Sequence, residues 1–245
     1  MKADWTESYF DETYCELFLE PVDAERTRRQ VMAVVRFCRL MPKARILDVG
    51  CGIGRHSLLL AQLGFDVMGV DSNEEYIARC TASAVEQGLS AHFVTADCRS
   101  MELGIQADAA LSLWSSFGYY GDEGDREVLR RMGMHVRHGG LVLIDVENRD
   151  YIVRHFVAEE WYERNGWTVM EKRHFSPVEG TVSTRRVLLR DGLRREYRRV
   201  LRMYSASEMT TLVQSAGLHV SAYYGDFDGS RFGIDSRRMI VLAQR

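Results

Sequence analysis

Apolar residues recur along the chain with two different periods, and the switches between them mark its organisation. Over residues 1–40 the spacing is helical: Val31, Val34, Val35 and Cys38 fall three and four apart, and Pro42 closes the segment. From Arg45 short apolar runs alternate with amphipathic stretches. Strands are predicted at 46–49, 66–70, 92–95, 107–113 and 141–146, with helices at 55–63, 73–87 and 125–136. Strands separated by helices imply a parallel sheet covered on both faces.

After Asn148 the period changes. Residues 168–175, 181–189 and 193–204 read as three strands, joined by the turn signals Pro177-Val178-Glu179-Gly180 and Asp191-Gly192. This predicts an antiparallel insertion. Residues 207–216 then read as a capped helix stopped by Gly217, followed by strands at 218–224 and 238–243 that suit a hairpin at the sheet edge. The expected domains are an N-terminal helical lid (1–40), a core (41–149 and 205–245) and an antiparallel cap (150–204) for substrate or oligomer contacts.

At 245 residues, 46% hydrophobic and 27% charged, the chain can bury a full core. No apolar run approaches the roughly 18 residues of a membrane span, so a cytoplasmic protein is expected. Five scattered cysteines without a Cys-x-x-Cys pair argue against a disulfide framework and against a metal site. A net charge of −3 gives no general attraction to nucleic acid or to an anionic membrane.

The most informative run is Ile46-Leu47-Asp48-Val49-Gly50-Cys51-Gly52-Ile53-Gly54-Arg55-His56, a buried strand passing through three glycines into a helix. Glycines there let backbone amides approach a ligand. Asp71 ends the next strand, where a carboxylate can accept hydrogen bonds from both ribose hydroxyls. Asp97, just past the third strand, can accept from an adenine amino group. Three strand ends thus converge on one nucleoside, at the carboxyl edge where open α/β sheets bind ligands.

These residues resemble the class I S-adenosylmethionine-dependent methyltransferases: Asp48 to Gly54 looks like their glycine motif, Asp71 their ribose acid and Asp97 their adenine contact. Tyr14, Gly54-Arg55-His56-Ser57, Ser116-Phe117-Gly118-Tyr119, His138-Gly139-Gly140 and Gly225-Asp226-Phe227-Asp228-Gly229 resemble the branch acting on bacterial metabolites and natural products. The resemblance implies a Rossmann-like α/β fold with a seven-stranded sheet, mostly parallel, its last strand antiparallel. It implies S-adenosylmethionine as cofactor, S-adenosylhomocysteine as product, and Tyr9, Tyr14, Asp48, Gly50, Cys51, Gly52, Gly54, His56, Asp71, Ser72, Asp97, Cys98 and Trp114 around them. Trp114-Ser115-Ser116-Phe117 departs from the Asn/Asp-Pro-Pro-Tyr/Phe tetrad of amino and DNA methyltransferases, which weakens a nucleobase acceptor.

By position, Tyr9, Ser115, Phe117, Tyr119, Asn148, Arg149 and Arg202 are expected around a small-molecule acceptor, with Phe117, Trp114 and Tyr9 or Tyr14 as an aromatic wall. A hydroxyl acceptor needs a general base and a free amine does not. The candidates are His56, His155 and Glu147: Glu147, at the end of the fifth strand, is preferred, and for His56 a structural or cofactor role is weighed above catalysis. The arginines of residues 185–202 fit a solvated sheet face paired with acids, recognition of an acidic group, or a homodimer contact. An acidic remainder argues against RNA. Beside a small-molecule N- or O-methyltransferase stand a tRNA or protein methyltransferase and a catalytically silent cofactor-binding protein. A nicotinamide oxidoreductase ranks last, because the loop lacks the Gly-x-x-Gly spacing.

Overall fold

The computed structural model describes residues 9–245; the first part of the expected lid, residues 1–8, lies outside them. Two sheets form. The larger has the strands β1 (Arg45–Val49), β2 (Asp66–Asp71), β3 (Ala91–Thr95), β4 (Ala107–Ser112), β5 (Val136–Glu147), β10 (His219–Tyr224) and β11 (Arg238–Gln244), in the order β10-β11-β5-β4-β1-β2-β3. Strands β1 to β5 pair parallel, and β11 runs antiparallel to both its neighbours. The smaller sheet, β6 (Glu159–Arg164), β7 (Trp167–Ser176), β8 (Thr181–Arg190) and β9 (Leu193–Arg202), is antiparallel throughout.

Strand alternation explains the layering. In β1, Leu47 packs with Val128, Leu129 and Met132 of α5 (Gly121–Met134) and Met209 and Val213 of α7 (Ala206–Ser215). Ile46 points the other way, into the cluster of Val31 and Val34 from α2 (Ala24–Phe37), Leu60 from α3 (Arg55–Gln62) and Ala84 from α4 (Glu74–Glu86). Both faces of the strand are buried, as a central parallel strand requires. Helix starts follow side-chain capping. Asp23 accepts from the amides of Glu25 and Arg26, Asn73 from that of Tyr76, and Ser205 forms a reciprocal capping box with Glu208.

Three features differ from expectation. The cap has a fourth strand, β6, whose Glu-Glu-Trp-Tyr-Glu-Arg sequence is too charged to read as one and forms the cap's edge. A six-residue helix, α6 (Arg149–Arg154), follows Asn148, whose side chain caps it. Strand β5 begins at Val136 rather than Leu141, because Val136 pairs with Ala107 across a register shift. The lid is a short helix α1 (Glu12–Tyr14) continued by a π-helical turn, Cys15–Leu19, ahead of α2. Among the described residues, no helix is long and apolar enough to cross a membrane.

Two contacts fix the carboxyl edge of the large sheet. Asp145 of β5 is buried; its carboxylate accepts from Arg238 Nε (2.7 Å) and from the Trp114 amide (2.9 Å), while its carbonyl accepts from the Ser115 amide (3.0 Å). Burial pushes the Asp145 carboxyl up and Arg238 opposes that shift. Trp114 and Ser115 are held at φ of 58° and 60°, a left-handed conformation that side chains disfavour. Further along, the amide of Arg202 at the end of β9 donates to the carbonyl of Gly118 (2.8 Å), tying the cap to the β4–α5 loop. Gly118 sits at φ 98°, and a Cβ there would lie 2.5 Å from the Arg202 carbonyl oxygen.

Gly118→Ala should therefore destabilise the protein by about 2–4 kcal/mol, since it adds both backbone strain and a clash with backbone; denaturant unfolding measures it. Arg238→Met, which leaves Asp145 buried without its partner, should cost about 3–5 kcal/mol in the same assay, and more above neutral pH than at pH 4, where the carboxyl takes up a proton.

Candidate active site

A cavity opens at the carboxyl ends of β1, β2 and β4, between the glycine loop, residues 10–19 and the β4–α5 loop. Its floor is the glycine loop. The amides of Gly50 and Cys51 both donate to the Val70 carbonyl (2.8 and 3.0 Å), which turns the chain sharply out of β1. Gly50 adopts φ 72°, and a Cβ on it would meet Ser116 Cβ at 2.7 Å. Ser116 Oγ in turn donates to the Gly50 carbonyl at 3.0 Å, so the two loops lock together.

Charged groups of both signs face this space. Asp71 accepts from the Gly52 amide (2.8 Å) and the Asn73 amide (3.0 Å), and burial pushes its carboxyl up. Asp48 accepts a short hydrogen bond from Ser57 Oγ (2.5 Å) through Oδ2, while its buried Oδ1 has no partner. Burial raises its pKa to about 6. Arg55 donates through Nη1 to Thr27 Oγ1 and Gln30 Oε1 (both 2.8 Å); its Nη2 is buried and unpartnered. Burial, then the neighbouring Arg26, lower its pKa to about 10.

His56 lies 3.0 Å through Nε2 from the same Gln30 Oε1. Because that oxygen also accepts from Arg55, Nε2 of His56 carries the proton, and burial holds the ring's pKa well below its usual value. His56 is thus a neutral, pinned donor, and its Nε2 cannot serve as the base.

The roof comes from the lid and the β4–α5 loop. Phe10, Tyr14 and Leu19 line the cavity with Trp114, Tyr119 and Tyr120. The carbonyl of Phe10 accepts from Asn73 Nδ2 (2.7 Å) and that of Asp11 from Tyr76 Oη (3.2 Å). Trp114 carries the guanidinium groups of Arg26 and Arg55 at 4.5 and 4.7 Å from its ring. It also lines a second, more open groove with Arg26, Arg29, Glu147, Tyr151 and His155.

The structure brings together many of the residues singled out in the sequence and separates others. Tyr14, Asp48, Gly50, Cys51, Gly52, His56, Asp71, Ser72, Cys98, Trp114 and Tyr119 line the cavity. Gly54 lies just outside as the left-handed cap of α3. Asp97 is flanked by cavity residues, but its carboxylate is held by Arg99 Nε and Nη2 (2.9 and 2.6 Å), which keeps its pKa low. Phe117 belongs to the core against Tyr204, not to an aromatic wall. Tyr9 is buried behind the wall, against Phe10, Tyr14 and Tyr197.

Ser115, Asn148, Arg149 and Arg202 are engaged elsewhere. Ser115 Oγ accepts from Arg238, Asn148 Nδ2 donates to the carbonyls of Gly233 and Ser236, and Arg149 pairs with Glu208. Arg202 bridges Asp122 and Glu208. Sequence reasoning missed Phe10, Arg55 as a cavity residue, and Tyr120; the aromatic spacing of the lid was the only signal for the first. Glu147 sits in the open groove, within electrostatic reach of Tyr14 and Arg199.

Comparison with known proteins agrees with this geometry. Residues 46–140 match the family model of a methyltransferase domain. The chain is similar to the glycine/sarcosine N-methyltransferase of Aphanothece halophytica, 31% identical over 112 residues, which cover 44% of this chain and 42% of that protein. The match thus spans less than half the length of this relative. In fold it is similar to the CcbJ methyltransferase of Streptomyces caelestis (TM-score 0.83, 19% identity, 96% of this chain and 97% of that one). The sugar N-methyltransferase KedS8 of Streptoalloteichus also superposes (TM-score 0.64, 23% identity, 92% and 87%). Residues 46–140 thus match a methyltransferase-domain model, and the whole chain has the Rossmann-like fold shared by these methyltransferase structures.

Proposed function

We propose that the protein is an S-adenosylmethionine-dependent methyltransferase acting on nitrogen or oxygen of a small-molecule acceptor. One observation carries this reading: a single cavity presents a ribose-competent carboxylate, Asp71, together with an unpartnered carboxylate oxygen on Asp48 and an unpartnered guanidinium nitrogen on Arg55. That set suits a nucleoside joined to a zwitterionic amino-acid tail. Asp71 would hold the ribose hydroxyls, Asp48 the ammonium and Arg55 the carboxylate. Bound there, the cofactor would supply a sulfonium methyl carbon open to in-line attack by an acceptor lone pair, with S-adenosylhomocysteine as the leaving group that keeps the C–S electron pair.

The chain's own part is positioning and exclusion of water. Phe10, Tyr14 and Leu19 cover the cavity from the lid, and Tyr119 and Tyr120 close its side. Glu147, in the groove that shares Trp114 with the cavity, would take a proton from a hydroxyl acceptor; an amine entering as the free base needs none. The similarity to glycine/sarcosine and sugar N-methyltransferases supports a small acceptor. Residues 9–19 act in this reading as a lid and 159–202 as the acceptor-facing cap. A metabolite-modifying role in the reducing cytoplasm is in keeping with five unpaired thiols.

Calorimetric titration should give micromolar binding of S-adenosylmethionine and S-adenosylhomocysteine, weakened about 10- to 100-fold by Asp71→Ala, with no binding of NAD. Binding of NAD alone, or of none of the three, would overturn the reading. A cation bound at Asp48 favours its carboxylate, so binding releases a proton. Affinity should be full above about pH 6 and fall by up to about tenfold per pH unit below it. The slope should be shallower in Asp48→Asn, and an identical slope would take Asp48 out of the site.

A further inference from the structure

Eight arginines crowd residues 185–202, and the structure separates one from the rest. Arg185, Arg194 and Arg198 converge on Glu196, Arg186 pairs with Glu171, Arg190 with Glu16, Arg195 with Asp11, and Arg202 with Asp122 and Glu208. The Arg199 side chain makes no hydrogen bond or ion pair among the described residues, and its Nε is buried without a partner, as is Nη1 of the otherwise paired Arg186. It lies on the inner face of β9 with Tyr197 and Leu201, both buried, while Arg198 and Val200 point out. Directly across the ladder stands Thr184 of β8, buried too, whose Oγ1 is likewise without a partner. Two neighbouring polar atoms on one face of the cap therefore lack what they are built to bond.

What they face is the roof of the cavity. The guanidinium of Arg199 stands 5.8 Å from the Tyr9 ring and is within electrostatic reach of Tyr9, Tyr14, Glu147 and Tyr119, as well as of Arg186. Tyr14 and Tyr119 line the cavity itself. A buried donor without an acceptor costs on the order of 1–3 kcal/mol, and more when charged, unless a ligand completes it.

Resting on the methyltransferase reading above, we infer that the acceptor carries a carboxylate, bound under the cap by the Arg199 guanidinium and the Thr184 hydroxyl. The fork of Nε and an Nη matches the two coplanar oxygens of a carboxylate. Glu147 lies within electrostatic reach of Arg199 and supplies the opposite charge, so an amine on the same acceptor would have a complementary group within range. The acceptor class this selects is an amino acid or another amino- or hydroxy-carboxylate.

The test does not depend on knowing the acceptor. Protein saturated with S-adenosylhomocysteine is titrated calorimetrically with carboxylic acids and their primary amides in matched pairs: glycine and glycinamide, benzoate and benzamide, 4-aminobenzoate and its amide. In at least one pair the acid should bind about 10- to 100-fold more tightly than the amide. Arg199→Met should erase that preference while leaving S-adenosylhomocysteine affinity unchanged and the thermal midpoint no lower, Arg199→Lys should restore part of it, and Thr184→Val should reduce it. The inference is overturned if no acid is preferred in any pair, or if the preference survives Arg199→Met. Failure of wild-type protein to bind S-adenosylhomocysteine would instead remove the cofactor reading, and the acid–amide comparison without it would still decide the role of Arg199.

Discussion

The buried pair of Asp145 and Arg238 is the constraint on which the site depends. Two consecutive residues with side chains, Trp114 and Ser115, hold left-handed backbone at a cost of about 1–2 kcal/mol each. They stay there because Asp145 takes both of their amides and Arg238 takes the Ser115 hydroxyl. That turn delivers Ser116 to the Gly50 carbonyl, and Ser116 occupies the space that any side chain at residue 50 would need. The glycine loop is therefore shaped from behind, by an ion pair between two strands that never touch the cavity.

A second dependence runs through the lid. Asp11 accepts from Tyr197 Oη of the cap (2.8 Å) and pairs with Arg195, while its carbonyl accepts from Tyr76 of the large sheet's helix layer. Tyr9 and Leu17 pack with Trp167, Val169 and Leu188 beneath the cap. One short segment is thus bonded both to the cap and to the helix layer of the large sheet, so its position is set by the two together. Polar and aromatic contacts do this where the lid has too few residues for a core of its own.

The cofactor half was legible in the sequence because it is written in backbone requirements: apolar runs for buried strands, glycines where φ must be positive, acids at successive strand ends. Asp48, Gly50, Gly52 and Asp71 lie where that grammar puts them. The acceptor half was not, for reasons that are equally physical. The left-handed pair at 114–115 changes the phase of the following residues, so Phe117 enters the core and Tyr119 the cavity, and spacing alone gives no sign of it. Along β9 the two-residue period groups Arg199 with Tyr197 and Leu201, but which face is inner depends on packing against a lid far away in sequence. Arg202 and Arg149 look like site residues until Asp122 and Glu208 are seen to claim them.

The cap leaves the chain after α6 and returns at Ser205, immediately beside the point where it left, with Arg149 and Arg202 both fastened to Glu208. Such an insertion behaves as a cassette on a common handle. If the core holds the cofactor and the cap the acceptor, as proposed, substitutions in the cap change the acceptor without disturbing the methyl-donor pocket, and the handle at Glu208 is what keeps the two halves in register.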